Sequence, residues 1–286
     1  MRLIQPIFAG TQTKETGLGE HNKIYNAWKE AGERVKKDID LGVKEFLLFY
    51  IPEFKLGEKS SGWREGEGID EHKFDQVCVT AASLSQIIQP QCRLIVDLCL
   101  CPYTPDGHCN ITGNQELTDR YLKQMAKDIY TASGATIAPS DCGENTVKNI
   151  KSLKDGSIEV MSYSTKFRSS FYVGWRDTLG IKPGIHRPYQ LDVETKKGDI
   201  LARAVKYRED GADELLIKPG MTSIDLISDI KHFNYNTPVG VYQTSGEWLG
   251  IHTEDNLKET YQVFKRAGAD FMISYGARNL INIIDE

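Results

Sequence analysis

The chain has 286 residues, 40% of them hydrophobic, and its 35 Lys and Arg against 40 Asp and Glu give a formal net charge of -5 at pH 7. That length supports a large core, and mild acidity without a basic block argues against a nucleic-acid partner. No run approaches a membrane span, MRLIQPIFAG is too short in its apolar part for a signal peptide, and six cysteines without an export signal suit a reducing, cytoplasmic setting.

Eight short β-rich runs recur along the chain, at 3–8, 46–51, 94–98, 135–138, 158–163, 214–218, 238–242 and 271–275. Most are continuously apolar, as parallel strands covered by helices should be. Helical patterns lie between them. The first spans 23–40, with Ile24, Trp28, Ala31 and Val35 at helical spacing, and others cover 72–88, 117–133, 199–210, 223–233 and 255–267. Gly42, Gly134, Gly211 and Gly268 each stand where a helix gives way to the next strand, which is the C-terminal glycine cap of a βα repeat.

Eight strands alternating with helices point to an α/β fold, a (β/α)8 TIM barrel forming a single domain over 1–286. A doubly wound sheet is the other architecture to weigh. It would carry a glycine-rich nucleotide loop after its first strand, and Gly10 alone does not make one. Residues 57–68 read as a long polar loop and 178–189 as a lid. Barrel active sites lie at the C-terminal ends of the strands. There the sequence places Asp97, Cys99, Cys101, Ser140, Asp141, Lys166, Lys218, Tyr242, Ser245 and Tyr275.

The densest stretch is DLCLCPYTPDGHC, 97–109. Cys99 and Cys101 are two apart and point to one side of a strand, and the following Pro and Gly turn brings Cys109 back. Three thiolates suit a soft, tetrahedral Zn2+ and leave a fourth position open, as in catalytic sites. Cys78 and Cys92 read as core residues. Lys218 ends an apolar strand, where desolvation lowers an ammonium pKa and frees the amine to form a Schiff base with a ketone. Lys166 lies just beyond its own run, and a second ammonium nearby would depress either lysine further.

DLCLCPYTPDGHC (97–109), APSD (138–141), MSYSTKF (161–167), SFYVGWRD (170–177), PYQL (188–191), IKPGM (217–221) and VYQTSGE (241–247), with the AGAD strand ending at Tyr275, span nearly the whole chain. On these motifs the sequence resembles the porphobilinogen synthase (5-aminolevulinate dehydratase) family. The resemblance implies a lyase of tetrapyrrole and heme biosynthesis that joins two 5-aminolevulinate molecules into a pyrrole. It implies that Lys218 binds the first substrate and Lys166 the second as Schiff bases, that Cys99, Cys101 and Cys109 hold zinc, and that Asp97 transfers protons. Ser245 and Tyr275 would hold the first carboxylate. Arg176 and Gln190 would hold the second, with Ser140, Tyr163 and Tyr242 nearby.

Some positions depart from the family pattern. His186, followed by Arg187, stands where the family has a second clamp arginine, and histidine cannot copy a bidentate guanidinium. Cys142 and its successors replace the usual residues after APSD, and His252 has no assigned role. The family's N-terminal arm, which supports an octamer, is almost absent, so a homo-oligomer smaller than an octamer is expected. Besides the condensation of two 5-aminolevulinates, two readings stay open. One is a divergent paralogue acting on another amino ketone or carbonyl compound, and the other a non-catalytic zinc- or metabolite-binding barrel.

Overall fold

The computed structural model describes residues 1–53, 74–88, 90–104, 107–111, 114–172, 189–234, 236–251 and 253–284. The expected loop at 57–68, most of the lid at 178–189, and Arg176, His186, Arg187 and His252 lie outside the described residues. Among the described residues there are nine parallel strands: β1 (Arg2–Gly10), β2 (Ile24–Asn26), β3 (Glu45–Ile51), β4 (Arg93–Leu98), β5 (Thr136–Pro139), β6 (Met161–Lys166), β7 (Glu214–Lys218), β8 (Val239–Tyr242) and β9 (Phe271–Ile273). Eight of them run β5-β4-β3-β1-β9-β8-β7-β6, with β2 paired to β1 outside that path. A parallel bridge from Ile137 to Val160 joins the two ends, so the sheet is a nearly closed barrel and not an open doubly wound one.

The described helices are α1 (Ala31–Asp40), α2 (Asp75–Ile88), α3 (Gln115–Ser133), α4 (Thr146–Lys151), α5 (Lys197–Glu209), α6 (Ile227–Phe233), α7 (Ser245–Leu249), α8 (Glu254–Ala267) and α9 (Ala277–Ile284). Local chemistry sets their ends. Asn114 accepts the Leu117 N–H to start α3, and Thr253 accepts the Asn256 N–H to start α8. Gly134 and Gly268 stop these two helices in the left-handed region, at φ 66° and 100°.

Strand alternation sorts the core into two layers. Ile4 and Phe8 of β1, Leu47 and Phe49 of β3, and Phe271 and Ile273 of β9 fill the barrel interior. Their neighbours Leu3, Ile7, Phe46, Leu48 and Met272 pack outward under the helices. A Cβ on Gly240 would stand 2.1 Å from the Phe271 ring, so the missing side chain is what admits that ring to the interior. At the N-terminal end of the barrel, Arg2 and Arg93 pair with Glu45 and Glu214 in a partly buried four-residue cluster. That end of the barrel is closed by ion pairs.

Two expected elements differ. The helical pattern at 23–40 breaks, because Ile24 to Asn26 extend and pair with Phe8 to Gly10. The Asn26 side chain then accepts the N–H groups of Trp28 and Lys29, and the helix starts only at Ala31. Trp28, expected on its buried face, is 58% exposed. The run at 158–163 supplies the closing bridge first, and β6 itself starts at Met161 and extends to Lys166. Lys166 therefore belongs to the strand and does not follow it.

Candidate active site

Register explains how the two lysines meet. Met161 and Ser162 of β6 pair with Glu214 and Leu215 of β7, whereas Thr165 and Lys166 pair with Ile217 and Lys218. Three steps on β6 match two on β7, which is a β-bulge. Met161 and Tyr163 point into the barrel. Without the extra residue, Lys166 would fall on the opposite face. With it, Lys166 turns inward as the register partner of Lys218.

Lys218 is partly open to the barrel mouth. Its Nζ lies 4.2 Å from the ring centre of Tyr242, 5.2 Å from Tyr172 and 5.5 Å from Tyr163. Loss of hydration, then the nearby Lys166 charge, lowers its pKa to about 8. Such an amine is neutral often enough at neutral pH to act as a nucleophile. Lys166 donates to the Ser140 carbonyl and lies 4.0 Å from the Cys109 sulfur. Burial opposes its charge, but Cys109, Cys142 and Cys99 outweigh burial and hold its pKa well above the lysine range. The expected mutual depression is thus found for Lys218 and not for Lys166, because only Lys166 touches a thiolate.

The Cys99, Cys101 and Cys109 sulfurs lie within 4.8 Å of one another. Tetrahedral zinc with sulfur at about 2.3 Å sets sulfurs roughly 3.8 Å apart, so this triangle needs little contraction. The three thiols share protons unequally. Hydrogen bonds from Cys101 and Cys99 hold Cys109 well below the usual thiol range, while burial pushes Cys99 up and the bond to Cys109 pushes Cys101 up. A divalent cation relieves all three, so the donor set fits a soft metal.

Asp97 stands one strand position before Leu98 and beside Ala138 of β5. Desolvation lifts its pKa to about 7, against the pull of Lys166 and of a hydrogen bond from Ser140. Its Oδ1 is buried without a hydrogen-bond partner among the described residues. A carboxyl poised near neutrality suits proton transfer. Tyr242 donates to the Tyr275 hydroxyl at 3.5 Å. Ser245 is buried at the first position of α7, whose Glu247 accepts the Thr244 N–H. Gln190 is buried, and its Oε1 has no partner among the described residues.

Asp141 also lies on this rim, but its carboxylate accepts from Thr146 and from the Gly143 N–H and closes a turn. Cys142, at φ 66° in that turn, lies outside the three-sulfur cluster. Tyr172, Tyr189 and Arg203 carry no individual signal in the sequence. The first two lie inside SFYVGWRD and PYQL, but no spacing rule tells that one faces Lys218 and the other Cys109.

A family model described as delta-aminolevulinic acid dehydratase matches residues 1–283. The delta-aminolevulinic acid dehydratase of Helicobacter pylori is 33% identical over 267 residues, covering 86% of this chain and 79% of that protein. That of Archaeoglobus fulgidus is 31% identical over 304 residues, covering 97% and 89%. Among solved structures, the Toxoplasma gondii enzyme in complex with its reaction product porphobilinogen superposes with a TM-score of 0.84 at 24% identity, covering 99% of this chain and 85% of that one. A dihydropteroate synthase from Xanthomonas albilineans reaches 0.55 at 12% identity, covering 99% and 91%. These last two likenesses concern the fold alone.

Proposed function

The chain belongs to the delta-aminolevulinic acid dehydratase family, and from that premise we propose that it is a zinc-dependent porphobilinogen synthase acting through two lysine Schiff bases. The observation that carries this reading is the pairing of Lys166 with Lys218 across the bulge, with Cys109 4.0 Å from the Lys166 amine. Family membership makes it an enzyme of the dehydratase type, feeding tetrapyrrole and heme biosynthesis. The lysine roles, the zinc ligands and the carboxylate contacts are our assignment.

Lys218, with its lowered pKa, attacks the ketone of the first 5-aminolevulinate and expels one water. With the Cys109 and Cys99 thiolates engaged by a metal, Lys166 would lose the charges that keep it protonated and would then do the same to the second. An imine acidifies the neighbouring C–H, and Asp97, with a free oxygen and a pKa near 7, takes that proton to give an enamine. The enamine carbon adds to the other imine, and loss of the remaining proton from that carbon then expels the lysine and leaves a carbon–carbon double bond. The remaining imine is attacked by a substrate amine, which forms the carbon–nitrogen bond, and loss of a ring C–H proton frees the second lysine and completes the aromatic pyrrole. Two waters are lost and both lysines return. Cys99, Cys101 and Cys109 would hold zinc, which would supply Lewis acidity on the second-substrate side of the site. Tyr275 and Ser245 receive the first carboxylate, and Gln190, through its amide N–H, contributes to the second, with Arg176, His186 and Arg187 as clamp candidates. Ser140 orients Asp97. Tyr163 and Tyr242 pack against the Lys218 amine.

Incubating the pure protein with 5-aminolevulinate and Zn2+ should yield a pyrrole detectable by colour. If none forms while borohydride still traps substrate on Lys218, the paralogue reading takes its place, as His186 in the clamp sequence would suggest. No described helix is long and apolar enough to cross a membrane, and we assign the enzyme to the cytoplasm, acting on small molecules without nucleic-acid or membrane partners. We further expect a homo-oligomer smaller than an octamer; light scattering that gives an octameric mass would refute this.

A further inference from the structure

We propose that Tyr189 is a positioning residue that couples metal loading at the three thiols to the placement of Gln190, whose neighbour Leu191 is bonded to the Lys166 backbone. The inference rests on the zinc reading above and adds a residue to which that reading gives no role.

The Tyr189 hydroxyl accepts the Cys109 N–H at 3.0 Å and also hydrogen-bonds the Cys109 sulfur. One oxygen therefore holds both the backbone and the donor atom of a single metal ligand. The Tyr189 ring meets His108 edge-on, with centroids 6.0 Å apart. Its carbonyl accepts from both Arg203 Nη atoms at 3.3 Å. Arg203 Nη2 also donates to the Cys142 carbonyl at 2.9 Å, and Tyr207 donates to the Gly143 carbonyl at 3.0 Å. Helix α5 thus anchors Tyr189 and the turn after β5 as one piece.

Two residues on, the Leu191 N–H donates to the Lys166 carbonyl at 3.0 Å. Between them, Gln190 presents an Oε1 that has no partner among the described residues. The short segment from Tyr189 to Leu191 is therefore tied to a metal ligand at one end and to a Schiff-base lysine at the other. When a cation fixes the Cys109 sulfur, it fixes the tyrosine hydroxyl with it and so holds Gln190 in place. By linkage, a ligand that orders Gln190 tightens the metal by the same factor. Hydrogen bonds to ligand atoms also set donor strength and orientation.

Tyr189→Phe removes the oxygen and keeps the ring against His108. We expect its Zn2+ affinity, read by competition with a chromophoric chelator, to fall roughly 10–100-fold, while the melting temperature of the metal-free protein falls by no more than about a few degrees, the cost of leaving the Cys109 N–H without its acceptor. Levulinate, a keto acid that can form imines but cannot complete a pyrrole, should tighten zinc in the parent and not in the variant. A zinc affinity within about twofold of the parent, or an equal levulinate effect in both, overturns the inference. A parent that takes up no zinc overturns the functional reading as well, so the two failures are told apart.

Discussion

Lys218→Met is expected to lower kcat on the order of 10⁴-fold or more, the scale of loss when a covalent nucleophile is removed, while leaving a protein at least as stable as the parent. The two halves of this expectation have one cause. The ammonium is poorly hydrated among Tyr163, Tyr172 and Tyr242 and faces Lys166, which lowers its pKa to about 8. Between about 8 and the unfolded value near 10.4, the unfolded chain binds more protons than the folded one, so stability rises with pH across that window. Below about 8 the full penalty applies, at most about 3 kcal/mol at about 1.4 kcal/mol per tenfold change. Methionine fills similar space without the charge and escapes it. Activity of the parent should rise with pH through about 8 as the neutral amine accumulates. Pyrrole formation, thermal melts and borohydride trapping followed by peptide mass analysis provide the readouts. A variant that retains more than roughly 1% of parental turnover would remove Lys218 from the nucleophile role.

Cys109→Ser is expected to cost more zinc affinity than the roughly 10–100-fold lost with an outer-shell partner, and about a thousandfold in rate, equivalent to several kcal/mol of Lewis-acid stabilisation. Cys109 is the thiol to change because it receives hydrogen bonds from Cys101 and Cys99 and lies against Lys166. Trapping at Lys218 should survive, since Tyr163, Tyr172 and Tyr242 still surround that amine. The variant therefore separates metal chemistry from imine chemistry, and chelation of the parent should reproduce it. Zinc binding should weaken in acid, because protons compete for the thiols. Full activity in Cys109→Ser, or in the chelated parent, would show that the three sulfurs do not hold a catalytic metal.

Much of this architecture is legible in the chain. Continuous apolar runs such as Phe46 to Ile51 and Leu94 to Val96 are strands because both faces are covered, and glycine at Gly134 and Gly268 marks helix ends through its left-handed conformation. The failures have equally local causes. Ile24, Trp28, Ala31 and Val35 satisfy helical periodicity, yet Ile24 and Tyr25 gain more by pairing with β1, a contact that no window of neighbours contains. Helices α4, α7 and α9 escape a reading by periodicity. The first two are only six and five residues long, too short for a repeat to show. The contacts of Tyr172, Tyr189 and Arg203 are tertiary. Each of those residue types occurs elsewhere in the chain without such a role, and only the fold says which one meets Lys218 or Cys109.

Residue chemistry and strand ends are both available from sequence: three thiols on one turn, an aspartate two residues before the first of them, and a lysine closing an apolar strand. Where those groups point is not. Counting alternate residues from Met161 and Tyr163 sends Lys166 to the outer face, among the helices. The extra residue between Ser162 and Thr165 reverses that assignment and sets Lys166 opposite Lys218. A bulge is settled by the register of β6 against β7, a pairing between stretches some fifty residues apart. Bringing both amines to one mouth, with the thiols beside them, is therefore a property of the closed barrel.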